Sequence, residues 1–281
     1  MPEGPEIRRE ADQIQDALGN NELSEVFFKF NHLKPAEKIL KGSKLLFVQT
    51  VGKGFILHFD CGYSIYGHNQ LYGKWMFAPS IPESGRDLRL MLKSEGTYAL
   101  LYSASEIQFL PTEDVLDIPF VKNNSGLDVL NSRPSDEETL AYISQKKFQS
   151  KSLAALLLDQ KFILGMGNYL RSEVLSLSRI HPDAKIADLE IKKIKALARY
   201  INSVMIQAYE HKGITNDLER AKKMKLRKFF FEDYRFWVFN RENAPCYTCK
   251  TSIKRIEKNS RRLYFCPKCQ EKIKGTHHDR S

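Results

Sequence analysis

The stretch CYTCKTSIKRIEKNSRRLYFCPKC, at residues 246–269, contains four of the five cysteines of this 281-residue chain. Their spacing, C-x2-C-x16-C-x2-C, lies within the range of zinc sites that are built from two cysteine pairs. The sequence therefore predicts a β-hairpin that holds one structural zinc ion through Cys246, Cys249, Cys266 and Cys269. Four thiolates leave no open coordination position, so a catalytic role for this ion is disfavoured. Two disulfides are the alternative, but nothing in the sequence indicates an oxidising compartment.

The positive charge of the chain is concentrated around this stretch. Residues 212–281 carry 19 Lys and Arg against 8 Asp and Glu, whereas the formal net charge of the whole chain is +10. The remainder of the chain is therefore close to neutral. A basic segment on a neutral body is typical of a protein that binds a polyanion, and nucleic acid is the first candidate. A solvated basic tail is the alternative.

Composition excludes several classes of protein. With 42% hydrophobic and 28% charged residues, the chain has the composition of a globular protein rather than a disordered one. No stretch approaches the roughly 18–20 apolar residues that a transmembrane helix requires. The N-terminal sequence MPEGPEIRRE lacks the apolar core of a signal peptide. We therefore expect a cytoplasmic protein with two or more domains, since domains usually contain about 100–200 residues.

Hydrophobic periodicity divides the chain into a strand-rich part and a helical part. Residues 6–18 have the apolar spacing of an amphipathic helix. From 23 to about 110, short apolar runs separated by Gly and Pro predict a β-sandwich or barrel. Cys61 lies in one of these runs and is predicted to be a buried core thiol. Residues 111–134 are predicted to connect two domains.

The pattern after residue 134 is helical. Ser135 and Glu138 resemble a capping box at the start of one helix. Asn168 is predicted to cap a second helix, which follows a glycine-bearing turn. A long helix is expected after Asp188, where apolar residues recur at helical spacing. The sequence thus predicts an α+β protein that ends in the four-cysteine hairpin.

The N-terminus combines two groups that could perform covalent chemistry. Removal of Met1 would expose the secondary amine of Pro2, which can attack a sugar aldehyde carbon to form a cationic iminium. An α-amino group has a pKa of roughly 7.7–8.0, so a nucleophilic fraction exists near neutral pH. Glu3 would place a carboxyl group beside the same carbon for proton transfer. Taken alone, these residues are a weak signal, and a simple lead-in to the helix is the favoured interpretation.

Five motifs occur together and in a fixed order. They are MPEGPEIRR at the start, GKG around Lys53, GHNQLYGKW at 67–75, LLLDQ-x4-GMGNYLR at 156–171, and the four-cysteine stretch. In this combination the chain resembles the formamidopyrimidine-DNA glycosylase and endonuclease VIII family, and endonuclease VIII in particular. The resemblance implies a catalytic β-sandwich domain at 1–123, a helix–two-turns–helix domain at 124–230 and a zinc finger at 231–271. It leaves 272–281 as a tail that we expect to be disordered.

The same resemblance implies roles for individual residues. Pro2 matches the Schiff-base nucleophile and Glu3 the general acid, with Glu6 as a carboxylate near the active centre. Lys53 matches a lysine that takes part in proton transfer during β-elimination, although a solvated loop lysine is the alternative. Arg261 matches the arginine at the finger tip that holds the phosphate for δ-elimination, and Arg262 is the alternative in register.

Further residues are implied to contact DNA. Gln70, Leu71 and Tyr72 combine an amide, an apolar wedge and an aromatic ring, which suit the gap left by an extruded nucleotide. A strand end is the alternative for these three. Asn168 and Arg171 match a phosphate-holding helix start. In FVKNNSGLD, at 120–128, a leucine replaces the proline of the family pattern, and Asn124, or else Lys122, is the candidate contact.

The resemblance implies a bacterial base-excision repair enzyme, a DNA glycosylase and abasic-site lyase that removes oxidised pyrimidines by β,δ-elimination. We expect a monomer that binds damaged duplex DNA with the lesion extruded, and no membrane partner. The same chemistry on oxidised purines is one alternative. A non-catalytic zinc-finger protein that binds damaged DNA is the other.

Overall fold

The computed structural model describes residues 2–19, 21–70 and 72–272. The chain forms two compact units, residues 1–125 and 126–281. The first unit is built mainly of antiparallel strands and the second mainly of helices, so the predicted α+β class is confirmed. The finer division at 230/231 stays a prediction. No helix among the described residues is long and apolar enough to cross a membrane.

Two four-stranded antiparallel sheets and three α-helices are described in the first unit. The strand order is β1-β6-β7-β5 in one sheet and β2-β3-β4-β8 in the other. Both sheets contribute side chains to one apolar core, as expected for the predicted sandwich. The strands are β1 (Glu25–Phe28), β2 (Leu45–Val51), β3 (Gly54–Phe59), β4 (Tyr63–His68), β5 (Lys74–Ala78), β6 (Leu88–Ser94), β7 (Thr97–Tyr102) and β8 (Glu106–Pro111).

Helix α1 (Gly4–Leu18) packs against this core with the face that its periodicity predicts. Ile7, Ala11, Ile14 and Leu18 are buried, because they lie three or four residues apart on one side of the helix. Helix α2 (Lys34–Leu40) follows β1. The N-terminus of the chain is thereby fixed to the sandwich through the apolar stripe of α1.

The segment predicted as a connection between the units is more structured than expected. Residues Thr112–Asp117 form a 3₁₀ helix and Pro119–Asn123 form the short helix α3. Val115 and Ile118 are buried against the outer side of the β2-β3-β4-β8 sheet together with Tyr66. This part of the chain therefore belongs to the first unit.

Seven α-helices and two strands are described in the second unit. They are α4 (Val129–Ser132), α5 (Asp136–Ile143), α6 (Leu153–Leu156), α7 (Asn168–Leu177), α8 (Ile191–Glu210), α9 (Leu218–Leu226), α10 (Phe231–Arg235) and the hairpin of β9 (Lys254–Lys258) and β10 (Arg261–Phe265). The predicted capping box of α5 is present, since the Glu138 backbone N–H donates to the Ser135 hydroxyl at 3.1 Å. Two turns join α6 to α7, which is the helix–two-turns–helix arrangement.

The hairpin shares its core with these helices. Leu263 and Phe265 lie on one face of β10 and pack into the cluster formed by α7 and α8. Tyr264, on the other face, packs with Cys246 and Cys266. The alternation of β10 therefore fixes the hairpin between the helical core and the cysteine cluster.

One sequence prediction about the first unit is wrong. Cys61 is exposed rather than buried, because it lies in the turn between β3 and β4 and not within a strand. The apolar run that suggested a core position ends at Phe59, and Gly62 has a φ of 81° that suits the turn. The predicted tail after 271 lies almost wholly outside the described residues.

Candidate nucleic-acid site

The proposed nucleophile and acid lie at the start of α1. Pro2 directly precedes the helix and is half-buried, while Glu3 occupies the N-cap position and is only 3% exposed. The Glu3 backbone N–H donates to the Glu6 carboxylate at 3.0 Å, and this bond fixes the chain beside Pro2. A helix N-terminus favours negative charge, so both carboxyl groups are in a suitable place. Helix α1 therefore holds Pro2 and the Glu3 carboxyl next to each other on a rigid support.

Lys53 lies in a two-residue turn between β2 and β3. The turn is tight because Val51 pairs with Gly54, and Gly52 has a φ of 59°. A Cβ on Gly54 would lie 2.9 Å from the Phe120 ring, so this position accepts only glycine without a shift of neighbouring atoms. These constraints explain the GKG motif. They hold the lysine backbone in one conformation.

His68, at the end of β4, lies within electrostatic range of Lys53. Burial lowers the pKa of His68; the carboxylate of Glu106 opposes this effect and the ammonium of Lys53 adds to it. The Gln70 backbone N–H donates to His68 Nδ1 at 2.9 Å. This bond assigns the neutral tautomer, with the proton on Nε2. The neutral imidazole of His68 therefore braces the backbone of Gln70.

The loop that contains Gln70 and Tyr72 is held by one backbone hydrogen bond of its own and by the side chain of Arg86. The Gly73 N–H donates to the Asn69 carbonyl at 2.8 Å, and Arg86 Nη1 donates to the Tyr72 carbonyl at 2.9 Å. Gln70 has a φ of 48°, a left-handed conformation that places it at the bend. The Tyr72 side chain is 70% exposed, which leaves its ring available for stacking. Leu71, predicted as the apolar wedge, lies outside the described residues.

The sequence analysis missed a contact that links this loop to α1. Asn69 is fully buried, and its Nδ2 donates to the Glu10 carboxylate at 2.5 Å. Burial raises the pKa of Glu10 to about 7; the hydrogen bond from Asn69 opposes this, and the charge of Glu6 adds to it. A signal was present, because Glu10 lies three residues after Ile7 and four before Ile14, at the border of the apolar stripe.

Asn124 and Lys122 lie at the end of the first unit. Asn124 is half-buried at the C-cap of α3, where its backbone N–H donates to the Val121 carbonyl at 3.1 Å. Lys122 is exposed, with its ammonium 3.7 Å from a carboxylate oxygen of Asp117. Both side chains are accessible to a ligand, and Asn124 stays the predicted contact.

In the second unit, α7 begins one residue earlier than the sequence predicted. Gly167, in extended conformation, is the N-cap, and Asn168 is the first helical residue. The Asn168 Oδ1 is buried and has no hydrogen-bond partner among the described residues. Asn168 is therefore not the cap, but it stands at a helix N-terminus whose N–H groups suit an anion.

Arg171 does not have the exposure that a direct DNA contact requires. Its side chain is fully buried, with Nη1 donating to the Ala154 carbonyl at 2.6 Å. Nη2 lies 3.2 Å from the Arg261 carbonyl and 3.3 Å from that of Arg262. The Lys258 carbonyl lies 3.4 Å away. We therefore correct the predicted role: the guanidinium ties the first turn of α7 to the tip of the hairpin.

The tip of the hairpin presents two exposed arginines. Asn259 and Ser260 both have positive φ and form a two-residue turn, after which Arg261 begins β10. Because strand side chains alternate, Arg261 shares a face with Leu263, which packs into the helical core. Arg262 shares the opposite face with Tyr264. This alternation favours Arg261 as the side chain nearer to the start of α7.

The four cysteines converge as their spacing predicts. Their Sγ atoms all lie within 4.8 Å of one another, with 3.9 Å between Cys246 and Cys269 and 3.4 Å between Cys249 and Cys266. Four thiolates at about 2.3 Å from one zinc ion would be about 3.8 Å apart. A disulfide would require about 2.05 Å, so the arrangement disfavours two disulfides.

Comparisons with known proteins agree with this architecture. The model of the formamidopyrimidine-DNA glycosylase N-terminal domain matches residues 1–105, and that of the formamidopyrimidine-DNA glycosylase H2TH domain matches residues 127–219. The chain is 37% identical to Endonuclease 8 of Salmonella arizonae and 36% identical to Endonuclease 8 of Salmonella enteritidis PT4. Each match covers 273 residues, which is 96% of this chain and 100% of the relative.

Solved structures of the Fpg protein of Lactococcus lactis share the fold. A complex with DNA that contains an abasic site matches with a TM-score of 0.77 at 20% identity. A complex with DNA that contains an oxidised pyrimidine matches with a TM-score of 0.77 at 19% identity. Both matches cover 96% of this chain and 100% of the other. At this identity the likeness concerns the fold.

Proposed function

The chain belongs to the formamidopyrimidine-DNA glycosylase and endonuclease VIII family, and from that membership we propose that it removes oxidised pyrimidines from DNA and nicks the strand by β,δ-elimination. It is an enzyme of base excision repair, a DNA glycosylase and abasic-site lyase. The observation that carries the mechanism is Pro2 directly before the buried Glu3 on α1. The full-length similarity to Endonuclease 8 favours pyrimidine lesions.

The first step forms a covalent bond at Pro2. After removal of Met1, the proline amine attacks C1′ of an extruded nucleotide, and the electrons of the glycosidic bond leave with the base, which gains a proton. Glu3 supplies a proton to the ring oxygen as the sugar opens, and the amine loses its own proton. The product is a cationic iminium between Pro2 and C1′. Glu3 directly follows Pro2 and is only 3% exposed, which keeps its carboxyl in a fixed position for this step.

The elimination steps use the charge of the iminium. Its positive nitrogen acidifies the C2′ proton, and loss of that proton expels the 3′ phosphate; Lys53 takes part in this proton transfer. A second elimination expels the 5′ phosphate, which Arg261 holds through its guanidinium. Water then hydrolyses the Schiff base and frees Pro2 for the next turnover.

Residues of each unit are assigned to DNA binding. Gln70 and Tyr72, with Leu71 between them, fill the gap that the extruded nucleotide leaves in the duplex. The N–H groups at the start of α7, with Asn168, bind a backbone phosphate. The four cysteines would hold one zinc ion, which would keep the hairpin folded without taking part in the reaction.

Reductive trapping tests the covalent step. Borohydride should link the native protein to abasic-site DNA, and the complex should be absent in Pro2→Gly and in protein that carries an uncleaved N-terminal tag. Trapping of the tagged protein at the native level would contradict the amine assignment. Excision from a panel of duplexes then tests the substrate. Faster release of 8-oxoguanine than of thymine glycol would show that oxidised purines are the preferred substrates. Absence of nicking on every duplex would show that the protein binds DNA without cleaving it.

A further inference from the structure

The sequence KKMKLRKFFF, at residues 222–231, is a basic and aromatic segment that the proposed chemistry does not use. It contains five Lys and Arg, three Phe and no acidic residue. Except for Met224, every side chain in it is exposed. Leu226 is 76% exposed and Phe230 is 82% exposed, so two large apolar side chains face solvent. Adjacent exposed apolar side chains of this size commonly mark an interaction site.

The fold holds this segment in a defined conformation. On the inner side of α9, the Arg220 guanidinium stacks on the Tyr247 ring at 3.9 Å and on the Trp237 ring at 4.7 Å. Met224 Sδ lies 3.9 Å from the Tyr247 hydroxyl. Ala221 is buried on the same side. The helix is thus anchored on the cysteine-rich end of the unit, and its lysines are left on the outer side.

The phenylalanines that follow α9 are fixed by their backbone. The Phe229 N–H donates to the Met224 carbonyl at 3.2 Å, and the Phe230 N–H donates to the Asp233 carboxylate at 3.1 Å. The ring of Phe231 packs edge-on against Tyr234 at 5.6 Å. The Phe230 ring is therefore exposed on a backbone that is already fixed. Binding of a partner to this ring would cost little further conformational entropy of the chain.

The chemistry of the segment indicates one class of partner. Lysines and an arginine suit phosphates, and an exposed aromatic ring suits the flat face of a base that is not stacked on its neighbours. An intact duplex offers the phosphates but hides the faces of its bases. An anionic membrane would also attract such a segment, but α9 has only nine residues, and the aromatic rings follow it rather than form one face of it.

We propose that residues 222–231 bind unpaired nucleotides of DNA, with Phe230 stacked on a base and Lys225 and Lys228 on neighbouring phosphates. The proposal rests on the proposed function in that DNA is the ligand. The segment is separate from the residues assigned to excision. It would give the enzyme additional affinity for single strands and for lesions beside an unpaired stretch.

Binding of lesion-free DNA tests the proposal independently of catalysis. Fluorescence anisotropy would compare a labelled oligothymidylate single strand with a fully paired duplex of equal length, using the full chain. Phe230→Ala should weaken single-strand binding about tenfold and duplex binding by less than about twofold. Phe230→Trp should retain single-strand affinity. Phe47→Ala, which removes another exposed phenylalanine at 51% exposure, is the matched control and should change neither.

The charge contribution has its own measurement. The double variant Lys225→Gln with Lys228→Gln should reduce the salt slope of single-strand binding by about 1.4, since each phosphate contact contributes about 0.7. If Phe230→Ala weakens the affinity for single strand and duplex equally, or weakens neither, the proposal is overturned. Binding of vesicles of phosphatidylserine and phosphatidylcholine that Phe230→Ala abolishes while single-strand binding is unchanged would also overturn it. Borohydride trapping on abasic duplex, measured in parallel, separates failure of this proposal from failure of the excision mechanism.

Discussion

Replacement of Glu10 by glutamine should stabilise the first unit at alkaline pH and leave its stability nearly unchanged at acidic pH. The Glu10 carboxyl is packed at the border of the apolar stripe of α1 and accepts a hydrogen bond from the buried Asn69 at 2.5 Å. Burial raises its pKa from 4.5 to about 7, against the opposing effect of Asn69. Glu6 adds to the rise, whereas Arg9 and Lys74 oppose it.

The size of the effect follows from this shift. Between pH 4.5 and about 7 the folded state holds a proton that the unfolded chain has released. The contribution of Glu10 to the free energy of unfolding therefore falls as pH rises through this window and is constant above it. A shift from 4.5 to about 7 corresponds to about 3 kcal/mol. Glutamine has nearly the same size as glutamate and keeps an acceptor for Asn69, but it cannot ionise. The free energy of unfolding of the variant therefore does not fall with pH through this group.

Urea denaturation of the full chain can report on the first unit alone. The chain has two tryptophans, and Trp75 is buried in the sandwich core against Phe55. In a Trp237→Phe background, Trp75 fluorescence follows that core. The free energy of unfolding of Glu10→Gln should exceed that of its parent by about 3 kcal/mol near pH 9 and by less than about 1 kcal/mol near pH 5.

The matched control is Asp16→Asn, which makes the same carboxyl-to-amide change on the exposed side of α1. It should show no such dependence on pH. A stability difference for Glu10→Gln that is equal at both pH values would refute the assignment of Glu10 as a buried titrating group. A variant that is less stable than its parent at alkaline pH would also refute it.

Three further predictions concern the second unit. Cys249→Ser should release zinc and unfold the hairpin, because a structural site does not form without its fourth thiolate; retention of one zinc per chain, measured by a chelating dye, would contradict this. Arg261→Ala should lower the salt slope of duplex binding by about 0.9 and shift the nicked product from β,δ- to β-elimination. If Arg262→Ala changes the salt slope and the nicked product more than Arg261→Ala does, the phosphate contact is Arg262 instead. Arg171→Met should cost about 3 kcal/mol of stability, because buried carbonyls lose a charged donor, and should raise amide exchange at the hairpin tip. Arg255→Met, on the exposed side of β9, is its control, and equal exchange in both variants would exclude the bracing role.

Much of the architecture could be predicted from local pattern. The apolar spacing of α1 predicted its buried face, and the alternating runs predicted the sandwich strands. The cysteine spacing predicted both the cluster and the hairpin between its halves. These predictions succeed because each depends on residues that are close in sequence, where helix and strand periods relate spacing directly to direction.

The errors have one cause in common. Cys61 was assigned to the core from a run of apolar neighbours, but the chain turns just before it. Asn168 was taken as the cap of α7, but the extended Gly167 occupies that position. Arg171 was assigned to DNA because it lies in a motif, yet its charge is satisfied within the protein. In each case the local pattern was present but did not specify the environment of the side chain: an adjacent turn or residue decided it for Cys61 and Asn168, and distant carbonyls decided it for Arg171.

The sequence by itself determined the α+β class, the four-cysteine cluster, the basic charge of the last quarter and the place of Pro2 and Glu3 at the start of α1. Only the tertiary structure decided the environment of the charged groups. Glu10 meets Asn69 across 59 residues, and Arg171 meets the Arg261 carbonyl across 90. The reason is that a buried charge is tolerated only where distant parts of the chain supply hydrogen bonds to it, and periodicity specifies which face is buried without specifying what will face it.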